Sequence, residues 1–505
     1  MKLLVLASLL LGNIALQLQL CNAKANTQVE HVIVLMLENR AFDHMLGYLT
    51  NINSDIEGCT PETCSNPIDP TDPTSPLVNL TYDAVYQQSD PCHSISCTTE
   101  QVFGYSSADS AQSKMTGFIK SYADRTGNTT YAPRIMESFH PSHVPAIYNI
   151  SQEFAIFDAW HASVPGPTMV NRAYAASATS NGMGTNNPKM EGFGLPQKTM
   201  FEQLLDMGLD FKIYFQQFPS VLQHKPMRKP HILPKYHILD KLFMDLEKGD
   251  MPEFSWVEPG YFDGVINNKH VFQATDQHPD HDVSAGDDLI RQIYNAVRSS
   301  PLWEKTALVI TYDEHGGFFD HVSPPAAPNP DGLNATDDPF DFTRLGVRIP
   351  TIIASPLIPK GTVVKAPESG EYEHSSLVST VVHKLFSAEE GYEESTYLTK
   401  RDEWAATFET VFSLSEPRQD CPLEAPAVVS HRVQFPSVLP KLDGKMPITH
   451  LQQEIIDIAS MMETEICQSD VDVLLGEKEM KEEGEALEWI LGRVEDCLGI
   501  KVLEE

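Results

Sequence analysis

Residues 307–321 read Ala307-Leu308-Val309-Ile310-Thr311-Tyr312-Asp313-Glu314-His315-Gly316-Gly317-Phe318-Phe319-Asp320-His321. The first four are apolar with no alternation, which predicts a strand covered on both faces, as in a parallel sheet. The strand ends in two adjacent acids, a histidine and two glycines. Ligands of open α/β sheets bind beyond the carboxyl ends of the strands. A carboxylate pair there is placed to hold a cation. The alternative is a solvated acidic turn, and this segment alone does not choose between the two.

A second run of the same kind, His31-Val32-Ile33-Val34-Leu35-Met36-Leu37, leads straight into Glu38-Asn39-Arg40. Phe211–Phe215, Phe254–Val257 and Pro350–Ala354 are further strand candidates. Leu289-Ile290, Ile293-Tyr294 and Val297 recur at helical spacing, and Ser299-Ser300-Pro301 ends that run. Strands alternating with helices predict an α/β fold, a mainly parallel sheet with helices on both faces. The stretch from Asn51 to Asp90, rich in Pro, Asp, Ser and Thr, reads as an irregular excursion.

The N-terminus has the pattern of a secretory signal: Lys2, an apolar run from Leu3 to Leu11, and small residues near Cys21-Asn22-Ala23. The expected organisation is a signal peptide over 1–23, a catalytic domain over 24–420 and an acidic, mostly helical C-terminal region over 421–505. In that last region Pro422 to Pro440 is proline-rich, and Thr449–Met462 and Val471–Leu503 read as helices. It shows no catalytic constellation and reads as amphipathic helix packed on the body or on a partner.

A secreted chain uses cysteines as staples. Of eight cysteines, Cys59/Cys64 and Cys92/Cys97 suggest local disulfides, although cross-pairing also fits. Of Cys421, Cys467 and Cys497, one should be left over. Asn79, Asn128, Asn149 and Asn334 open glycosylation sequons. The net charge of -34 argues against a nucleic-acid binder and against strong adsorption to anionic membranes. It does not exclude action on single phosphate groups, because a bound metal inverts the local field.

Glu38-Asn39 and Asp313-Glu314 occupy equivalent strand ends. Parallel strands would bring them to one rim as three carboxylates and an amide oxygen, a set suited to a hard divalent cation. Calcium, magnesium and manganese fit such ligands, and zinc also accepts them, so the metal's identity stays open. In Val164-Pro165-Gly166-Pro167-Thr168-Met169-Val170-Asn171-Arg172 a rigid turn places Thr168 near a helix start. Its hydroxyl becomes a competent nucleophile if a metal lowers its pKa, and Arg172 is a candidate phosphate clamp. A plain N-cap threonine is the alternative. His93, His281 and His374 lie in loops or at helix starts and suit phosphate binding or proton delivery.

These segments, in the order Glu38–His44, Asp90–Ser94, Pro167–Arg172, His281–Val283, Tyr312–His321 and Glu373–Ser376, closely resemble the phosphoesterase family of phospholipases C and acid phosphatases. Leu398–Trp404 is similar to its eukaryotic non-specific phospholipase C branch. The resemblance covers about Glu30 to Pro422 and implies an alkaline-phosphatase-like α/β core. It also implies metal ligation by Glu38, Asn39, Asp313 and Glu314 with Thr168 as nucleophile and fifth ligand. His93, His281, Asp282 and His374 would line the phosphate pocket, with His281 or His374 as proton donor. Ala41, Cys92, Met169 and Val170 depart from the family's usual residues. The implied activity is hydrolysis of phospholipid to diacylglycerol and a phosphorylated headgroup through a phospho-threonine intermediate, with transient membrane-surface contact. The alternatives are an acid phosphatase acting on soluble monoesters and a secreted binding glycoprotein without catalysis.

Overall fold

The computed structural model describes residues 28–104, 113–266, 270–335, 337–386, 396–439, 441, 445–466 and 480–502. The segment read as a signal peptide lies outside them. An eight-stranded sheet forms the core. Its strands are β1 (His31–Leu37), β2 (Ala155–Phe157), β3 (Phe211–Phe215), β4 (Tyr236–Ile238), β5 (Phe254–Glu258), β6 (Thr306–Tyr312), β7 (Thr351–Ala354) and β8 (Thr362–Val364). They lie in the order β8-β2-β7-β6-β1-β5-β3-β4. β1 pairs parallel with β5 and β6, and β3 with β4 and β5. β7 runs antiparallel between β6 and β2.

Every residue of β6, and every residue of β1 except His31, is buried. This is the environment that non-alternating apolar strands require. Helices α1 (Thr168–Ser177) and α2 (Val283–Ser299) belong to separate helical groups: α1 packs with 200–206 and 375–380, α2 with 145–153 and 239–248. All five strand candidates are present. β2, β4 and β8 are only three residues long, too short for a periodicity to register.

Both local disulfides form, Cys59–Cys64 and Cys92–Cys97. Cys497 is also in disulfide form, and among the described residues Cys421 is a free, buried thiol. Asn79, Asn128 and Asn334 are exposed. Asn149 instead lies within helix Pro145–Glu153 with its Oδ1 buried, a poor glycan acceptor. In the C-terminal region, α3 (His450–Ile466) packs on helix Pro188–Phe193 and on α4 (Glu483–Leu498), and α4 packs on strand Gly264–Ile266. Among the described residues no helix is long and apolar enough to cross a membrane.

Candidate active site and metal centre

Leu37 pairs with Tyr312 across β1 and β6, so Glu38 and Asp313 leave the sheet side by side. The Asp313 N–H donates to Leu37 O at 3.1 Å. Asn39 then turns with φ 67°, a left-handed conformation that asparagine tolerates better than most residues. Its N–H donates to Asp313 Oδ1 at 3.0 Å, and its Nδ2 to Asp90 Oδ1 at 2.9 Å. The Arg40 N–H donates to Glu314 O at 3.0 Å. The two strand ends are therefore laced together by backbone hydrogen bonds.

The glycines after Glu314 make this close approach feasible. Gly316 and Gly317 have φ +65° and +69°. A Cβ on Gly316 would sit 2.2 Å from Asn39 O, and one on Gly317 would sit 2.6 Å from Cys92 O. His315 is buried and pairs with Gln101 Oε1 at 2.9 Å, so it shapes the turn. Asp320 and His321 belong to a separate ion-pair cluster. There Arg348 Nε meets Asp320 Oδ1 at 3.0 Å, and His321 Nδ1 meets Asp43 Oδ2 at 2.6 Å.

Glu38, Asp313 and Glu314 are completely buried, and one oxygen from each lies within 4.8 Å of the others. Burial and then the charge of Asp313 hold Glu38 well above the usual carboxylate range. Burial pushes Glu314 up to about 8 against the countering charge of His93. Arg172 faces two of these acids, but one guanidinium shared with Glu258 does not offset three carboxylates in a dry pocket, which favours a further cation or a retained proton. Asn39 Oδ1 and Glu314 Oε1 are buried and have no hydrogen-bond partner, and Glu38 Oε1 has only an ion pair with Arg172. Buried anionic and amide oxygens of this kind fit a hard divalent cation.

Thr168 is the first residue of α1, at the helix start as expected, and Pro167 rather than Thr168 takes the N-cap position. The turn before it is fastened by Asn171, whose Oδ1 accepts the Val164 N–H at 3.1 Å and whose Nδ2 donates to Gly166 O at 2.8 Å. Arg401, from the Leu398–Trp404 segment, donates to Ser163 O at 2.7 Å. Thr168 is buried, and its hydroxyl lies 3.4 Å from Glu38 Oε2.

Two residues sit differently from the sequence reading. Arg172, read as a phosphate clamp, is buried beneath the carboxylates. Its Nε reaches Asp313 Oδ2 at 3.1 Å, Nη1 reaches Glu258 Oε2 at 2.9 Å, and Nη2 reaches Glu38 Oε1 at 3.2 Å. Its three nitrogens all face protein acids, and Nη2 also donates to Leu37 O at 3.3 Å, so it balances the acid cluster. Asp282, read as lining the phosphate pocket, caps α2. Its Oδ1 accepts from the Ser284 N–H at 3.0 Å and hydroxyl at 2.6 Å, and its Oδ2 accepts from Ser430 Oγ at 3.2 Å.

The histidines divide by charge. His93 is buried against Glu314 and Asp90; burial opposes its charge, yet those two acids outweigh burial and raise it to about 9. His281 is likewise held charged: burial opposes, but Asp276, at 2.7 Å from Nδ1, and its neighbours outweigh it. Burial lowers His374 to about 4. Its Nε2 donates to Asp313 O at 2.5 Å, leaving a buried, unpartnered Nδ1. A neutral ring of this tautomer can accept a proton at Nδ1 but has none there to give.

Sequence reasoning missed Asp90, Glu258 and Asp276. Asp90 orients the Asn39 amide and Glu258 takes one end of Arg172. The Glu38 N–H donates to Asp276 O at 2.9 Å. Glu258 ends β5 beside β1, so the strand-end logic that found Glu38 could have found it.

A family model described as the phosphoesterase family matches residues 29–387. The chain belongs to this family. Non-specific phospholipase C6 of Arabidopsis thaliana is 42% identical over 86% of this chain and 81% of its own length. Non-specific phospholipase C1 of the same plant is 41% identical over 87% and 80%. A solved protein of the alkaline phosphatase superfamily from Vibrio parahaemolyticus overlaps with a TM-score of 0.30 at 14% identity, covering 52% of this chain and 64% of that one. That overlap is too loose to carry an argument. Family membership makes the chain a hydrolase of phosphoric ester bonds.

Proposed function

We propose that this phosphoesterase is a secreted, metal-dependent non-specific phospholipase C that hydrolyses phospholipid to diacylglycerol and a phosphorylated headgroup. The observation that carries the site assignment is the Thr168 hydroxyl, 3.4 Å from Glu38 Oε2, beside three converging buried carboxylates. The plant relatives named for this activity support the substrate class.

Glu38, Asn39, Asp313, Glu314 and Thr168 would hold the divalent cation. When bound it would lower the pKa of the threonine hydroxyl and polarise the phosphate. Thr168 Oγ gives up its proton to water and attacks phosphorus, the bond from phosphorus to the glycerol oxygen breaks, and the headgroup phosphate becomes an ester of Thr168. His281, already charged, gives its proton to the departing glycerol oxygen. Water then attacks phosphorus, passing its proton to His281, and the phosphorus–Thr168 bond breaks, releasing the phosphorylated headgroup while Thr168 Oγ takes a proton back from solvent. Arg172 keeps the carboxylates together, and His93 places a positive charge facing Glu314. Disulfides Cys59–Cys64 and Cys92–Cys97 suit an oxidising compartment.

Assaying phosphatidylcholine against a small aryl phosphate tests the substrate class. Diacylglycerol release well above aryl phosphate turnover supports the phospholipase reading, and the reverse order refutes it. Elemental analysis of the same purified protein identifies the cation.

A further inference from the structure

The C-terminal region reaches the proton donor. Gln452 on α3 and Glu483 at the start of α4 are both buried. Glu483 Oε1 lies 3.5 Å from His281 Nε2. Gln452 Nε2 donates to Glu483 Oε1 at 2.5 Å and to Tyr261 O at 2.7 Å, and lies 3.3 Å from His281 Nε2. Those two bonds use both amide hydrogens. Gln452 is thereby spent on Glu483 and Tyr261, and the Glu483 carboxylate at ion-pair distance favours a proton on Nε2 of the imidazole. On the other side of the ring Nδ1 meets Asp276 Oδ1 at 2.7 Å. Asp276 O in turn accepts the Glu38 N–H at 2.9 Å. A continuous set of contacts thus runs from α4 to a candidate metal ligand.

The same region touches the nucleophile's turn. Glu454 of α3 accepts a hydrogen bond from Asn186 Nδ2, and Asn186 Oδ1 accepts the Met169 N–H at 2.9 Å, one residue after Thr168.

We propose that Glu483, held by Gln452, is a positioning residue that keeps His281 doubly protonated for the phosphoester reaction, so that the C-terminal region takes part in setting the charge of the active site. This rests on the reading of His281 as proton donor. A carboxylate on each ring nitrogen is the arrangement that stabilises imidazolium. The charged groups around the ring are Asp276 and Glu483, Asp280 with its Oδ1 3.7 Å from Nε2, and Asp263, itself paired with Arg432; the His278 ring lies 6.0 Å away. Acids dominate, and Glu483 is the one supplied by the C-terminal region.

The test is Glu483→Gln in the full chain. The His281 titration is followed by NMR with 15N-labelled histidine, assigned by the signal missing from His281→Gln, and kcat is measured against pH on phosphatidylcholine micelles. Removing the carboxylate should lower the His281 midpoint and the basic limb of kcat together by about 1–3 pH units. KM should be little changed, and Glu483→Asp should restore most of the shift. Should Glu483→Gln not fold, Gln452→Met carries the same test with the same sign, because it frees the carboxylate from its support. A His281 titration superimposable on wild type in the folded variant overturns the proposal, as does lost activity with an unmoved pH profile. Full activity in His281→Gln would instead sink the proton-donor reading, while the NMR titration still decides the Glu483 contact.

Discussion

Replacing Gly316 by alanine tests whether the turn after Glu314 is built around Asn39. Two costs follow from the geometry. The residue sits at φ +65°, where a side chain costs roughly 1–2 kcal/mol. The new Cβ would also lie 2.2 Å from Asn39 O and 2.7 Å from Asn39 C. Both are backbone atoms that cannot rotate away, and overpacking of this kind costs roughly 1–3 kcal/mol. Gly332→Ala isolates the first cost, because Gly332 has φ +80° and nothing within 4 Å of its Cβ position. Urea unfolding of both variants should therefore differ by about 1–3 kcal/mol, with Gly316→Ala the less stable. Since the displaced residue is a proposed ligand, Gly316→Ala should also lose metal on elemental analysis while Gly332→Ala keeps it. Equal stabilities and equal metal contents would refute the packing argument.

Arg172→Met removes the cation that faces Glu38, Glu258 and Asp313. Breaking such a buried network should cost about 3–5 kcal/mol. The loss should be larger with chelator than with saturating divalent cation; thermal melts showing the same loss in both would contradict the charge-balancing role. His321 gives a pH prediction away from the metal. Burial opposes its charge, but the Asp43 hydrogen bond and the charges of Asp43 and Asp320 raise it to about 9. A raised folded value stabilises fully below the unfolded value near 6.5 and is lost as pH rises through about 9. Melting temperature should fall across that window in wild type and be flatter in His321→Gln, and parallel curves would discard the account.

What the sequence could and could not reveal follows from range. β1 and β6 were legible because two unbroken apolar runs have few other homes, and their carboxyl ends carry Glu38, Asn39, Asp313 and Glu314. Family motifs then supplied Thr168. The reversed direction of β7 leaves no mark in an apolar four-residue strand. Arg172 reads as a phosphate clamp because a cation near a nucleophile looks the same whether it faces substrate or protein, and Asp282 came to the phosphate pocket through the family resemblance alone. Only the fold reveals that Glu258 and Ser284 already occupy them. Gln452 and Glu483 were invisible because their contacts with His281 join acidic helix to a distant loop. An amphipathic pattern reports that a face is buried, not which histidine it covers.

The most direct test of the central claim is to quench wild-type enzyme in the first turnovers on phosphatidylcholine and map covalent phosphate by peptide mass spectrometry, beside Thr168→Ala. The account predicts a headgroup phosphate ester on Thr168 in wild type. It also predicts a folded Thr168→Ala protein with its ester absent and nearly all diacylglycerol release gone. Wild-type-like turnover in Thr168→Ala, or phosphate trapped on another residue, would contradict it.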